Sequence, residues 1–162
     1  MIELLRVDQR LLHGQVAVTW VNSLAVDAIL VANDEVVTNE MSVMALKLAK
    51  PANVNLAIRN IADGIKLIND PRTRDLKILV VVQTIEDAYR IALETDQVKH
   101  VNIGGVRKSE NSKLIQPATF INAQQAEVIS SILTLPHVDE VEFRMVPSET
   151  RKSGKSVVEI FK

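Results

Sequence analysis

Short β-branched runs alternate along the whole chain with segments whose apolar residues recur at helical spacing. Ile2–Val7 reads as a first strand, and Gly14–Leu24 then places Val16, Trp20, Val21 and Leu24 on one helical face. Ala28–Ala32 reads as the second strand. Asn39–Ala49 reads as a helix with Met41, Met44, Ala45 and Leu48 turned inward, stopped by Pro51. Val54–Ile58 follows as a third strand, then a helix over Ile61–Ile68 that ends at Asn69-Asp70-Pro71. Ile78–Val82 is continuous, β-branched and apolar, the pattern of a strand covered on both faces. Thr84 is placed to cap the next helix, with Asp87 at its third position. His100–Ile103 reads as a fifth strand ending at Gly104-Gly105, and Arg107–Pro117 as a polar loop. Ala123–Leu135 reads as a helix, and Glu140–Val146 and Ser156–Phe161 as late strands.

This alternation predicts an α/β fold: one domain over residues 1–162, an open, mainly parallel sheet with helices on both faces. The short polar turn Ser148–Lys155 spaces the last two strands for an antiparallel hairpin at one edge, although Pro147 counts against it. Composition narrows the function. A net charge of -1 and 3% aromatic residues offer neither attraction to nucleic acid nor platforms for stacking bases, so no nucleic-acid partner is expected. The absence of cysteine excludes disulfides, thiolate nucleophiles and cysteine-based metal sites. The longest apolar runs fall far short of the roughly 20 residues that cross a bilayer. No basic region leads into a long apolar stretch as in a signal peptide. A soluble, cytoplasmic chain is the expectation.

In open α/β sheets, ligands sit beyond the carboxyl ends of the strands. The segment Asp8-Gln9-Arg10-Leu11-Leu12-His13-Gly14-Gln15 falls there, between the first strand and the first helix, and sets a carboxylate, a guanidinium and an imidazole within six residues. Each suits phosphoryl transfer. An imidazole with its ordinary pKa of about 6.5 has a free ring nitrogen near neutrality, which makes His13 a candidate nucleophile and leaving group. Arg10 offers a planar fork of donors for phosphate oxygens. The N–H groups of Gly14, Gln15 and Val16 would form an anion site at the helix start, and Gly14 permits close approach. Helix-end electrostatics contribute only about 0.3–1 kcal/mol, a strength suited to holding a group without trapping it. Asp8 is placed to orient the imidazole through its other nitrogen. A lone loop histidine is otherwise commonly a solvated or capping residue.

The run Arg6-Val7-Asp8-Gln9-Arg10-Leu11-Leu12-His13-Gly14-Gln15-Val16 closely resembles the phosphorylation-site segment of the IIB components of the mannose/fructose/sorbose family of the bacterial sugar phosphotransferase system. That family usually reads Arg-Ile-Asp-Asp-Arg-Leu-Ile-His-Gly-Gln-Val there. Val101-Asn102-Ile103-Gly104-Gly105 resembles the family's Asn-Val-Gly-Gly segment, and Asn33-Asp34-Glu35 its acidic pair after a strand. Gln9 departs from the usual aspartate and removes one charge beside the site, while Val7 and Leu12 replace isoleucines.

The resemblance implies that His13 takes a phosphoryl group on Nδ1 from a phosphohistidine of a IIA partner. It then passes the group to a sugar carried by membrane IIC and IID partners, with Arg10 contacting the phosphate and no metal or organic cofactor taking part. It implies a cytoplasmic component working peripherally at the membrane transporter. The sugar (mannose, fructose, sorbose or an amino sugar) and the oligomeric state, homo-oligomers included, stay open.

Two other functions compete. A phosphohistidine hydrolase or mutase is suggested by the His13-Gly14 pair, but such enzymes place an arginine immediately before the histidine, where Leu12 stands. A non-catalytic binding module on the same fold is the other. Elsewhere, Trp20 reads as packing, His100 and His137 as strand-edge or surface residues, and Thr84 as a cap. Gly104-Gly105 serve either a turn or a close approach to the site. Arg107-Lys108 reads as a solvated pair. Ser153-Gly154-Lys155-Ser156 imitates a nucleotide-binding loop, but Glu149 occupies the place of its first glycine and no helix is evident after it.

Overall fold

A computed structural model describes residues 1–162. Its main sheet contains β1 (Ile2–Asp8), β2 (Ala28–Ala32), β3 (Asn55–Arg59), β4 (Ile78–Val82), β5 (His100–Gly105), β8 (Glu140–Phe143) and β9 (Lys152–Ser153), in the order β3-β2-β4-β1-β5-β8-β9. All pairs are parallel except the last, in which β9 runs against β8. A separate antiparallel hairpin joins β6 (Lys113–Gln116) to β7 (Thr119–Ile121). The helices are α1 (Gly14–Leu24), α2 (Glu40–Ala49), α3 (Ile61–Asn69), α4 (Ile85–Glu94), α5 (Ala123–Leu133) and α6 (Gly154–Glu159).

Two cores flank the sheet. On one face, α1 and α2 bury Ala17, Trp20, Val21 and Leu46 against Leu4, Ile29, Val31, Leu79 and Val81. On the other, α3 to α6 bury Ile61, Ile65, Ile91, Ile129 and Val157 against Leu5, Val7, Val80, Ile103 and Phe143. Because side chains alternate along a strand, Leu5 and Val7 point to the second core while Leu4, Arg6 and Asp8 point toward α1. The same alternation turns Val101, Ile103, Val141 and Phe143 to the second core. Asn102, Glu142 and Arg144 are thereby left on the α1 side.

Local signals set the helix ends. Asn39, Asn60, Thr84 and Asn122 each accept a hydrogen bond from the third residue of their helix, and Gln125 completes a capping box with Asn122. α2 ends at Ala49, because Lys50 before Pro51 adopts an extended conformation.

Four expectations are corrected. Ser156–Phe161 is not a strand: α6 spans Gly154–Glu159, started by the Ser153 hydroxyl and anchored by buried Val157 and Val158. Lys152–Ser153 instead supplies the antiparallel edge. A helix does therefore follow the Ser153-Gly154-Lys155-Ser156 run, but it has six residues and Ser153 itself accepts the Lys155 N–H. The strand over Glu140–Val146 stops at Phe143, where Arg144 leaves to donate to the Pro147 carbonyl. The loop Arg107–Pro117 contains β6, only four residues long, in which Ile115 alone is buried, too short a run for a period-2 pattern to show. Finally, Met41, Met44, Ala45 and Leu48 face outward, with Leu48 82% exposed, and Leu46 is the buried anchor of α2. This helix carries apolar residues on two faces, and only its seat beside the sheet decides which is covered.

Candidate functional site

The loop Gln9–His13 leaves the carboxyl end of β1 and is pinned from three directions. Leu11 and Leu12 are buried in the α1-side core. The Gln9 N–H donates to Gly105 O at 2.9 Å, and Gln83 Nε2 donates to Gln9 O at 3.1 Å. Leu11 N–H donates to Asp8 O at 2.8 Å, closing a tight turn that holds Leu11 at φ 58, a left-handed conformation rare for leucine. Such a turn persists only where its surroundings over-determine it.

Asp8 is the hub. Its side chain is 4% exposed, and its Oδ1 accepts the Arg10 N–H at 2.9 Å. Its Oδ2 accepts Arg6 Nη2 at 3.0 Å and lies 2.8 Å from His13 Nε2. The His13 side chain is 19% exposed, and its Nδ1 has no hydrogen-bond partner. His13 is also the N-cap of α1, yet its side chain makes no cap bond. The N–H groups of Gly14, Gln15 and Val16 therefore stay available beside the imidazole. Gly14 sits at φ 45 with open space where a Cβ would be, so backbone conformation rather than crowding calls for glycine. Arg10 is exposed and its guanidinium has no ion-pair partner. The five expected site residues lie between the end of β1 and the first turn of α1.

Beneath them lies a polar layer that sequence reasoning did not single out. Arg6, 3% exposed, donates through Nη1 to Asn102 Oδ1. Asn102 Nδ2 donates at 3.0 Å to Glu142 Oε1, which also receives Arg144 Nε at 3.2 Å and lies 3.0 Å from His100 Nε2. Glu142 Oε2 is buried without a partner. Both arginines approach the Trp20 ring, with Arg6 Cζ 5.4 Å and Arg144 Cζ 5.1 Å from its centre, and the indole N–H donates to Met145 O at 2.9 Å. Burial pulls the Arg6 pKa down against the opposing charges of Asp8, Glu142 and Glu149. Burial also disfavours the Glu142 anion, but hydrogen bonds from His100 and Asn102 and the charge of Arg144 prevail and hold it below the ordinary glutamate range. The available signal was the alternation within each strand, which sets Arg6, Asn102 and Glu142 opposite the apolar face; their shared row across β1, β5 and β8 comes from the strand pairing.

Gly104 and Gly105 serve close approach. A Cβ on Gly104 would occupy the place of the Arg6 guanidinium, and one on Gly105 would lie 3.1 Å from Asp8 Oδ1. Thr84 caps α4 as expected, its hydroxyl accepting the Asp87 N–H at 3.1 Å. His137 Nε2 lies 2.8 Å from Ala92 O, and His100, partly exposed at the start of β5, reaches Glu142 at the border of the polar layer. Asn33 Oδ1 accepts the Glu35 and Val36 N–H groups, and Asp34 accepts the Ile61 N–H, so that segment shapes the loop after β2.

A polar cleft of about 370 Å³ opens next to the turn, lined by Gln9, Gln83, Thr84, Arg107, Ser109 and Gln125. A second surface hollow, about 450 Å³, lies between α2 and β3 and touches none of the site residues. No helix is long and apolar enough to cross a membrane, and no group of three His, Asp or Glu side chains converges to hold a metal ion.

Residues 2–161 match the family model described as the PTS system sorbose subfamily IIB component. The chain belongs to that family. This IIB component is 38% identical over 156 residues to a Streptococcus pyogenes protein described as a "probable phosphotransferase enzyme IIB component", covering 93% of this chain and 95% of that one. It is 24% identical to the fructose-specific EIIB component of Bacillus subtilis, over 91% of this chain and 90% of that one. The IIB domain of the sorbose permease from Klebsiella pneumoniae has the same fold, with a TM-score of 0.91, 22% identity and coverage of 100% and 98%. Membership assigns the chain to the sugar phosphotransferase system. The single α/β domain with its mainly parallel sheet is the architecture it shares with that sorbose permease domain.

Proposed function

We propose that His13 accepts a phosphoryl group from a phosphorylated IIA protein and passes it to a sugar held by membrane IIC and IID components. The observation that carries this reading is the unpartnered Nδ1 of a half-buried imidazole whose Nε2 is held 2.8 Å from a buried carboxylate. Transfer between proteins asks mainly for positioning and charge stabilisation. Asp8 supplies the positioning. The free N–H groups at the start of α1 and the unpaired Arg10 guanidinium supply donors for the phosphoryl oxygens. Gly14 and Gln15 contribute through their backbone. The component would work peripherally at the membrane, docking by brief encounters around the His13 turn.

Incubation with a phosphorylated IIA protein tests the reading. Acid-labile phosphate on His13, absent from a folded His13→Ala variant, is expected. Labelling of that variant at the wild-type rate would refute the assignment. Steady release of inorganic phosphate would point to a hydrolase, and absence of any labelling to a binding module.

A further inference from the structure

His13 presents Nδ1 because Nε2 is engaged, and the group engaging it is a buried carboxylate whose charge itself needs support. A carboxylate removed from water without a cation takes up a proton instead. The one cationic side chain touching Asp8 is Arg6, through the same Oδ2 that faces His13. An ionised Asp8 can only accept, so Nε2 must carry the ring proton and Nδ1 keeps its lone pair. A protonated Asp8 would reverse this. An O–H on Oδ2, 2.8 Å from Nε2, would donate to that nitrogen, and the ring would then carry its proton on Nδ1 and block it.

Arg6 is itself held in place from below. Asn102 receives one arm of its fork and is fixed in turn by Glu142, the Trp20 ring lies against the guanidinium, and Gly104 leaves the space it fills. Glu142 and Arg144 form a second opposite-charge pair in this layer, so the four groups balance to zero only while Asp8 is an anion.

We infer that Arg6 is a positioning residue for the transfer: by keeping Asp8 ionised it fixes His13 in the Nε2–H tautomer and leaves Nδ1 as the attacking atom. This rests on the carrier role proposed for His13. In the step, the Nδ1 lone pair forms the new N–P bond while the donor's N–P bond breaks and its electron pair returns to the donor ring. Nε2 keeps its proton. The phosphorylated ring is then cationic beside the Asp8 carboxylate, which stabilises it and preserves it as a leaving group for the next transfer.

The test compares wild type, Arg6→Gln and Arg6→Lys, each checked for folding by thermal melt. Two-bond ¹H–¹⁵N spectra read the His13 tautomer, with His13→Ala as the blank for assignment, and phosphate uptake from a phosphorylated IIA protein is timed at the same pH. Wild type and Arg6→Lys are expected as Nε2–H, and Arg6→Gln as mainly Nδ1–H. If the blocked form reaches about nine-tenths of the population, uptake falls about tenfold, because only the remainder can attack. A folded Arg6→Gln protein with the wild-type tautomer and rate overturns the inference. So does Arg6→Lys switching as fully as Arg6→Gln, which would assign the effect to the shape of the fork rather than to its charge. Should Arg6→Gln not fold, Gly104→Ala, which displaces the guanidinium without removing it, carries the same expectation and the same refutation. A wild-type protein with the Nε2–H tautomer that never takes up phosphate would overturn the carrier role instead.

Discussion

Replacing Asp8 by asparagine isolates the energetic core of the site. The carboxylate is 4% exposed and receives the Arg10 N–H on Oδ1 and the Arg6 guanidinium on Oδ2. An amide has only one acceptor oxygen. If that oxygen keeps the Arg10 N–H, the amide nitrogen faces Arg6 Nη2 with donor against donor, and a buried guanidinium loses its counter-ion. Removing one partner of a buried pair costs about 3–5 kcal/mol, mostly through the charge left behind. For a chain of this size, that lowers the melting temperature by between about 6 and 20 °C. Urea or thermal unfolding of Asp8→Asn measures the loss, and a double-mutant cycle with Arg6→Gln apportions it. The double variant removes both charges, so it should be less destabilised than the sum of the singles by at least about 1 kcal/mol. Additivity within about 0.5 kcal/mol would refute the claim that these two groups depend on one another.

Arg10→Ala should slow phosphate uptake while leaving the melting temperature nearly unchanged, since its side chain has no ion-pair partner; normal uptake with lowered stability would refute a phosphate-contacting role. The folded-state pKa of Glu142 lies below its unfolded value. Its contribution is therefore complete above the ordinary glutamate range of about 4.3 and is lost as pH falls toward and through the folded value. Glu142→Gln should flatten the acid limb of the stability profile below about pH 5, and an unchanged limb would refute this. On α2, Leu46→Ala should cost about 2–5 kcal/mol and Leu48→Gln less than about 0.5 kcal/mol, measured by denaturant unfolding; the reverse order would contradict the orientation of the helix.

Much of the architecture was legible because its signals are local. The buried run Ile78–Val82, the cap at Thr84 and the stop before Pro51 need only neighbouring residues to act. The candidate turn was legible for the same reason, as eight consecutive residues carry it between a strand and a helix. What failed was whatever depends on neighbours far along the chain. α6 resembles a strand because Val157-Val158 and Ile160-Phe161 are apolar in pairs, and only packing against the second core makes the helix the better solution. The inward face of α2 was misjudged because two apolar stripes compete and the edge of the sheet covers only one.

Periodicity, capping and turn chemistry act over a few positions, so the strand-helix alternation, the loop that bears His13 and the residues around it can be read along the chain. That Arg6, Asn102 and Glu142 form one row beneath that loop, and that Gly104 makes room for the guanidinium, emerges once the strands are paired. Register between strands separated by 96 and 40 residues is set by burial of their other faces. No local pattern along the chain encodes which polar side chains then meet.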